Sequence, residues 1–570
     1  MVTRFKKCFS FLLIFLLIFN LAACSSTKNT VKEENQKEVK EEAFTEKTKV
    51  PEINLWITSQ TYDPVRYEAG LMIANSWKKL GFKVNTTALE WATMSSEGMK
   101  AHKHDAFMIQ WGGKAERIDP FHWLYSLHHS SEAVEGGYNI AGYENPEYDK
   151  LAEEFASNMD WEVRKQKAYK MQEILAQDVP QPPLVHRKLT MAYNKENFEN
   201  AIMAMGEGLY SFWNWVNITP KVDRKIIRFG TVSDLKLLNP LTTKTGQDIY
   251  MLRLIYDPLI RIDRDGKPIP WAAQSYRTVD DKIIEVVLRD GMKFHDGKAV
   301  TVDDVKFTFD FAREVKSPYY LSKLKKLDKV EKVDDKTIRF VLKEPFAPFI
   351  SNGLALVGIL PKHIWEKEYK ERGAEGILSW ENLPAIGSGP YKYEYWRPNE
   401  EFKLSSFDEH FNAPKVKGIL RIPYAQTYGV VQGLKSGEID VAGLNLLPLQ
   451  IEELKDSSFL AFDEIDDQGY YMLHYNMRKA PFNDVNVRRA LTYAIPKDQI
   501  IELVFGGRAV PAYSTVAAVN KFWHNENVEK LGNDIEKARE ILKEAGFRWD
   551  KEGKIYFPKD YKVKGYYSDN

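Results

Sequence analysis

Residues 284–298 read IEVVLRDGMKFHDGK and predict a buried strand followed by two tight turns. Apolar side chains recur at every second position from Ile284 to Leu288, as they do on the buried face of a strand. The triplets Arg289–Gly291 and His295–Gly297 each end in glycine, which can adopt the positive φ that such turns need. Between them, Phe294 marks a further short buried strand. We interpret the histidine of the second turn as structural rather than catalytic.

Outward from this stretch, strands alternate with amphipathic helices. Residues 338–342 repeat the alternating strand pattern. Thr301, Asp160 and Asp484 each stand where the N-cap of a helix is expected. The helix after Asp160 should end at Val179, because the residue before a proline disfavours the helical conformation. The sequence therefore predicts a mixed α/β fold.

The N-terminal residues predict export from the cytoplasm. Residues 4–7 hold three basic side chains ahead of the apolar run Phe9–Phe19, which is too short to cross a bilayer. We interpret residues 1–23 as a cleaved signal. This signal ends at Leu21–Cys24, which resembles the lipobox of bacterial lipoproteins and predicts acylation of the Cys24 thiol. The alternative is an ordinary secretory signal that leaves this cysteine as a free thiol.

Cysteine content and charge narrow the class of protein further. Cys8 is lost with the predicted signal and Cys24 is the predicted lipid site, so the mature domain is expected to hold no internal disulfide. Residues 24–50 begin with the lipidated cysteine and continue as a Lys- and Glu-rich tether, with a short charged helix as the alternative. The chain holds 80 basic and 80 acidic residues, a balance that does not indicate nucleic-acid binding.

Several short motifs follow one another after residue 225. They are Asn239-Pro240, Tyr256–Ile260, Trp271–Ser275, Leu288–Lys298, Gly387–Tyr391, Gly437–Asp440, Tyr475-Asn476, Asn486–Leu491 and Glu544–Phe547. Together they resemble the family-5 extracellular solute-binding proteins, the oligopeptide, dipeptide and nickel receptors of ABC importers. The stretch Leu288–Lys298 is the most recognisable of them.

The motifs that close such a protein stand at the front of this chain. They are Ile53–Ile57, Tyr67–Leu80, Gly81–Val84, Gln110–Gly113, Asp119-Pro120 and Asn145–Asp149. This order resembles a circular permutation in which residues 219–225 bridge the usual termini. Termini that lie close together on the surface make such a permutation physically feasible. The alternative is a rearranged or misassembled reading frame.

The resemblance implies a two-lobed periplasmic-binding-protein-like fold (type II, cluster C) with an extra subdomain in lobe I. The expected segments are 51–190 and 490–570 for lobe II, 191–270 and 391–489 for lobe I, and 271–390 for the inserted subdomain. The lobes are expected to close over a ligand held between them.

One position in the expected cleft departs from the family pattern. Peptide-binding relatives place an Asp three residues after a Gly-Trp pair, where it binds the α-ammonium group of the ligand. Here the pair is Gln110-Trp111 and the third residue on is Lys114. A lysine would repel an ammonium group and favour an anion. Glu116 and Asp119 are the alternative acids, so peptide specificity stays open.

The remaining ligand candidates are aromatic, flexible or polar. Aromatic residues make up 13% of the chain, and aromatic walls suit sugars, peptides and cations alike. The candidates are Trp111, Gly112, Gly113, Tyr138, Asn139, Tyr256, Tyr471 and Asn476. Core packing is the alternative for the two later tyrosines and is favoured for Trp123. Bracing of their own loops is the alternative for Tyr138, Asn139 and Asn476.

Metal binding, cofactor binding and catalysis are not indicated. We interpret His102 and His104 as part of a solvated basic face rather than as metal ligands. The sequence lacks a Gly-x-Ser-x-Gly or His-Glu-x-x-His motif, and the acidic residues at 463–467 suggest a surface turn.

The sequence-based hypothesis is a monomeric substrate-binding lipoprotein of an ABC importer, anchored on the extracytoplasmic face of the cell membrane. It would deliver a peptide or an oligosaccharide-like solute to a permease and catalyse no reaction itself. A receptor that reports its ligand to a membrane signalling protein is the alternative, because both roles require the same closed form.

Overall fold

The computed structural model describes residues 44–45, 48–223, 225–243, 245–559 and 561–562. The predicted signal peptide, Cys24 and nearly all of the predicted tether lie outside these ranges. Thr45–Asn570 form one compact unit. Of the other unit, Met1–Phe44, only Phe44 is described.

The described strands vary from two to twelve residues in length. In chain order they are Ile53–Thr58 (β1), Val84–Leu89 (β2), Ala106–Trp111 (β3), Pro183–Asn194 (β4), Phe198–Glu199 (β5), Thr219–Pro220 (β6), Ile226–Thr231 (β7), Ile260–Ile262 (β8), Pro268–Pro270 (β9), Ala273–Asp280 (β10), Ile283–Leu288 (β11), Leu327–Lys332 (β12), Thr337–Leu342 (β13), Tyr391–Arg397 (β14), Glu401–Ser406 (β15), Gly418–Pro423 (β16), Val441–Gly443 (β17), Leu460–Asp466 (β18), Tyr470–Tyr475 (β19), Ala509–Pro511 (β20), Arg548–Trp549 (β21) and Ile555–Tyr556 (β22).

The α-helices separate these strands along the whole chain. They are Pro64–Lys79 (α1), Trp91–Thr93 (α2), Pro146–Ser157 (α3), Trp161–Asp178 (α4), Phe212–Asn217 (α5), Gly246–Ile255 (α6), Val302–Glu314 (α7), Lys362–Ser379 (α8), Thr427–Lys435 (α9), Pro448–Leu454 (α10), Val485–Tyr493 (α11), Lys497–Phe505 (α12) and Ile535–Glu544 (α13). The mixed α/β class predicted from the sequence is confirmed.

The predicted helix caps form as expected. The Asp160 carboxylate accepts hydrogen bonds from the backbone N–H groups of the first turn of α4, which ends at Val179 in the left-handed conformation. Thr301 and Asp304 form a reciprocal capping box at α7, and Asp484 caps α11. Each cap satisfies backbone donors that a helix leaves free at its N-terminus.

Two sets of hydrophobic cores define two lobes. Lobe I is built from residues 191–460, whose buried side chains include Trp215, Phe229 and Phe340. Lobe II is built from residues 50–185 together with 470–557. One lobe is therefore continuous in sequence, whereas the other combines the two ends of the described chain.

A large mixed sheet runs through both lobes. Among the described residues its strand order is β14-β15-β16-β7-β17-β4-β19-β3-β1-β2, and β18 and β20 also pair with β4. The first half of β4 pairs with β19 and β20, and its second half, Lys188–Asn194, pairs with β18. The long strand β4 and the β18–β19 connection therefore cross between the lobes.

The crossing segments are tied together by one buried carboxylate. Asp467 accepts hydrogen bonds from Arg187 Nε at 3.0 Å, from the Gly469 backbone N–H at 2.9 Å and from the Gly113 backbone N–H at 3.2 Å. The prediction of a surface turn at 463–467 was wrong. Most of that stretch belongs to β18, and Asp467 is only 1% exposed.

A separate four-stranded antiparallel sheet lies within residues 271–390. Its order is β10-β11-β13-β12, and Ile284 is paired with Phe340 across β11 and β13. The two predicted turns after β11 are confirmed, since Gly291 and Gly297 have positive φ. The strand predicted at Phe294 was wrong, because this stretch forms only an isolated bridge, Lys293 to Ala299. Phe294 itself is fully buried.

The two ends of the described chain are neighbours in lobe II. Lys49 forms an antiparallel bridge with Tyr556, and the Phe557 N–H donates to the Thr48 carbonyl at 2.7 Å. Within the described ranges, no helix is both long enough and apolar enough to cross a membrane.

Candidate functional site

A cavity of about 450 Å³ opens between the two lobes. Lobe II contributes Lys114, Glu116, Arg117, Phe121, His122 and Tyr138 to its lining. Lobe I contributes Glu207, Gly246, Ile249, Tyr250, Arg253, Tyr319, Ser322, Lys323, Phe346 and Asn352. We call this cavity the cleft. Its volume falls in the range of small-molecule binding sites.

The loop that follows β3 positions the lobe II side of the cleft. After Trp111, the chain passes through Gly112 and Gly113 to Lys114 and a short helical turn, Ala115–Arg117. A Cβ on Gly113 would lie 2.9 Å from the Gly206 Cα atom, so this glycine allows a close approach to the protein itself. A Cβ on Gly112 would meet nothing within 4 Å.

Aromatic rings form a wall on this side. Trp111, His122 and Tyr138 meet edge to face, with centroid distances of 5.3 Å, 5.5 Å and 5.9 Å. The Arg117 guanidinium lies 5.0 Å from the Trp111 ring and 5.5 Å from the Trp123 ring. Trp123 is 1% exposed and belongs to the lobe II core, the position that the sequence favoured for it.

Two carboxylates and one arginine connect the lobes across the cleft. Glu116 of lobe II accepts from Arg253 at 3.3 Å and from the Tyr319 hydroxyl at 3.0 Å. Glu207 binds the same guanidinium. We call Arg253, Glu116 and Glu207 the Arg253 cluster.

The pKa values of the two acids of the Arg253 cluster shift in opposite directions. Burial alone would raise the pKa of Glu116, but attraction to Arg253 and Lys323 outweighs burial and lowers it. Burial raises the pKa of Glu207 despite its attraction to Arg253. Burial by itself would lower the pKa of Arg253, but both carboxylates raise it, so this guanidinium is held in its charged form.

Asp119 lies outside the cleft lining. Its carboxylate accepts two hydrogen bonds from Arg164, at 3.0 Å and 3.1 Å, and one from Ser351 at 2.8 Å. Both members of the ion pair are almost completely buried. We call Asp119, Arg164 and Ser351 the Asp119 site. Its carboxylate is saturated by protein donors, which leaves it no free position for a ligand ammonium group.

Four of the candidate residues brace the protein interior. Asn139 donates to the Tyr143 carbonyl at 2.7 Å, and Asn476 donates to the carbonyls of His102 and His104. The Tyr256 hydroxyl accepts from Asn382 in the lobe I core, and the Tyr471 ring packs 5.2 Å from Phe505 in lobe II. The structure therefore brings Lys114, Glu116 and Tyr138 together in the lining of the cleft, places Trp111 against the lining rings of His122 and Tyr138, and places these four elsewhere.

Sequence reasoning missed most of the lobe I side of the cleft. Glu207, Arg253 and the stretch Tyr319–Lys323 lie far from one another and from residues 111–120 in the sequence, and no local motif marks them. Arg117, on the lobe II side, was also missed. It could have been found, because it lies inside the loop that the sequence singled out.

The predicted solvated face at residues 102–104 was wrong for one of its histidines. His104 is fully buried, and its ring packs 4.5 Å from Phe107. Burial, with repulsion from His474 and His102, holds the pKa of His104 well below its usual value. Over the described ranges, no group of three or more His, Cys, Asp or Glu residues is arranged to hold a metal ion.

Known proteins match much of the chain. The sequence model described as bacterial extracellular solute-binding proteins, family 5 (middle), matches residues 26–133 and 267–570. The dipeptide-binding protein of Escherichia coli K12 is 29% identical over 300 residues, which cover 49% of this chain and 55% of that protein. The glutathione-binding protein GsiB of Pectobacterium atrosepticum is 30% identical over 320 residues, covering 54% of this chain and 59% of that protein.

The chain was also compared with solved structures. The ABC transporter substrate-binding protein CtaP of Listeria monocytogenes is 27% identical and covers 57% of this chain and 66% of its own, with a TM-score of 0.48. The chain spans little more than half of the length of the curated relatives named above. The family match nevertheless extends over well more than half of the 570 residues. The chain belongs to the family-5 bacterial extracellular solute-binding proteins.

Proposed function

We propose that this protein is the substrate-binding component of an ABC importer, which captures a small solute between its lobes and delivers it to a membrane permease. The observation that carries the proposal is the cleft itself, a cavity of about 450 Å³ lined by both lobes. The relatives are a dipeptide-binding and a glutathione-binding protein, which supports a small organic solute. Capture and release require no covalent chemistry from the protein.

The crossing segments support a hinge mechanism. Among the described strands of the main sheet, β4 and the β18–β19 connection link the lobes, and Asp467 holds both near the crossing point. Small changes in these backbone segments would rotate one lobe relative to the other. A ligand that contacts both lobes would favour the closed form in proportion to its extra affinity for that form.

Ligand contact is proposed for Trp111, Gly112, Lys114 and Tyr138. The aromatic wall offers flat surfaces to a peptide side chain or a sugar ring. Glu116 is proposed to act from the same loop through its link to Arg253. Asn139, Tyr256, Tyr471 and Asn476 are proposed to support the two lobes from within.

We propose lipid attachment at Cys24, which would hold the protein on the extracytoplasmic face of the membrane. The motif Leu21–Cys24 supports this assignment.

We also propose that the chain is circularly permuted, because the family motifs occur in a permuted order. The contact of residues 48–49 with residues 556–557 supports this proposal. We also propose that the lobe II segment begins near residue 470, since β19 pairs with β3.

Native mass spectrometry of residues 25–570 tests the proposed function. We expect a noncovalently bound small molecule that leaves on denaturation, together with a smaller radius of gyration in its presence. A folded protein that binds no solute from a broad library of peptides, sugars and organic acids would contradict the proposal. The Trp111→Ala variant serves as the comparison, because it should bind the ligand more weakly while it keeps the fold.

A further inference from the structure

The charges that line the cleft do not balance. Four cationic side chains line it, those of Lys114, Arg117, Arg253 and Lys323, against the carboxylates of Glu116 and Glu207. Both carboxylates bind Arg253. The other three cations have no carboxylate within ion-pair distance among the described residues.

Each of these three cations has other surroundings in place of a directly bound carboxylate. Lys114 is exposed at the end of the loop after β3. Arg117 stacks on Trp111 and donates to the Gly112 carbonyl. Lys323 donates to the Tyr319 carbonyl at 3.0 Å, and its Nζ lies 3.8 Å from the Tyr319 ring centroid. Aromatic faces and carbonyls stabilise a cation but do not neutralise it.

The cations come from both lobes. Lys114 and Arg117 belong to lobe II, whereas Lys323 belongs to lobe I, so closure of the cleft brings like charges together. Like charges in a partly dehydrated cavity repel strongly unless an anion lies between them. His122 adds an imidazole Nε2 that is buried and has no hydrogen-bond partner in the described part of the chain.

We propose that the cleft is an anion-binding site, in which Lys114, Arg117 and Lys323 hold a carboxylate or phosphate group of the transported solute. This inference rests on the proposed function, since it names the class of solute that the cleft takes. The same geometry disfavours a ligand whose only charge is an ammonium group, because Glu116 is committed to Arg253 and Tyr319 and Asp119 to Arg164 and Ser351.

The ionisation of Lys323 gives an independent readout. Burial lowers its pKa to about 8; Glu116 opposes this effect, while Arg253 and Lys114 reinforce it, and the Tyr319 ring faces the same ammonium group. An anion bound beside Lys323 would raise that pKa. Binding at pH 8 should therefore take up protons, and the apparent binding enthalpy should change with the ionisation enthalpy of the buffer.

Paired probes test the proposal by calorimetry on the soluble chain, residues 25–570. N-acetyl-Ala-Ala is compared with its C-terminal amide, and glucose 6-phosphate is compared with glucose. We expect the anionic member of at least one pair to bind about tenfold or more tightly than its neutral partner, as charge-assisted hydrogen bonds allow. The pair that responds distinguishes a carboxylate site from a phosphate site.

Substitutions locate the effect. Lys114→Gln and Lys323→Gln should each weaken the anionic probe about tenfold and leave the neutral probe unchanged, and Lys323→Gln should also remove the proton uptake. Lys150→Gln, on the exposed face of α3, is the matched control and should change neither. Equal affinity within both pairs overturns the anion-binding site but leaves the importer proposal standing. A folded chain that binds none of the four probes and retains no solute overturns both.

Discussion

The Asp119 site and the Arg253 cluster contain the same chemical groups and are positioned by the same loop, yet their surroundings differ. Asp119 and Arg164 are almost completely buried and bind each other in a two-point geometry. Arg253 faces the cleft and divides its guanidinium between carboxylates of both lobes. Burial makes the first pair a structural element, whereas access to the cleft lets the second respond to a ligand and to closure.

The largest effect is expected at the Asp119 site. Asp119→Ala leaves the Arg164 guanidinium buried without its carboxylate, so the free energy of unfolding should fall by about 3–5 kcal/mol. Urea denaturation measures this loss. A change of less than about 1 kcal/mol would show that Arg164 finds another partner or water, and the two sites would then not differ as proposed.

Trp111→Ala should change ligand binding rather than stability. Loss of the ring that packs against His122 and Tyr138 should weaken the bound solute by about 1–3 kcal/mol. Calorimetry with the solute identified by mass spectrometry gives the measurement. Trp549→Ala, in the β21 hairpin, provides a control that should keep full affinity. Unchanged affinity in Trp111→Ala would remove this residue from the site.

Glu116→Gln tests the Arg253 cluster. The guanidinium keeps Glu207, so the unfolding free energy should fall by only about 1 kcal/mol, while the closed form should lose its charged link to Arg253. Small-angle scattering with bound solute should show a larger radius of gyration than the wild type. Glu162→Gln, in the first turn of α4, is the surface control and should leave the radius unchanged.

The Glu116–Arg253 contact should weaken as the pH falls. The folded pKa of Glu116 lies below its ordinary value of 4.5, so its contribution to stability is fully present above about pH 4.5. It is lost as the pH falls through the lowered folded pKa. In the wild type the closed form should therefore persist at neutral pH and open only in acid, and Glu116→Gln should remove this acid-dependent opening. Scattering of the wild type and of Glu116→Gln, at pH 7 and in steps below pH 4.5, distinguishes the two proteins.

The smallest effect should come from a charge pair in water. Arg397 and Glu401 form a 2.9 Å ion pair on the edge of lobe I, where the arginine is 63% exposed. Arg397→Gln should cost about 0.5 kcal/mol or less in unfolding free energy. A cost equal to that of Asp119→Ala would mean that burial does not explain the difference between the two sites.

Local chemistry predicted much of the fold. The caps at Asp160, Thr301 and Asp484 and the turns at Gly291 and Gly297 were correct, because each depends on residues within one helical turn or one tight turn. The acidic stretch at 463–467 misled the prediction, because a charged sequence usually suggests a solvated turn, whereas here residues 463–466 belong to the crossing strand β18 and Asp467 after it is buried.

The candidate site was predicted from one lobe only. Trp111, Lys114, Glu116 and Tyr138 lie within one short region of sequence, and the structure places all four at the cleft or its wall. Arg253 and Lys323 belong to segments more than a hundred residues away, and nothing local in the sequence indicates that they meet this loop.

The sequence by itself determined the α/β class, the family, three helix caps and the residue of the cleft loop that departs from the family pattern. These properties follow from side-chain periodicity, cap chemistry and motif order, all of which can be read directly from the sequence. Only the tertiary structure decided that Glu116 faces Arg253 while Asp119 is buried against Arg164, and that residues 48–49 lie beside residues 556–557. Burial and long-range charge depend on which distant segments pack together, and the packing of two lobes across a cleft fixes both.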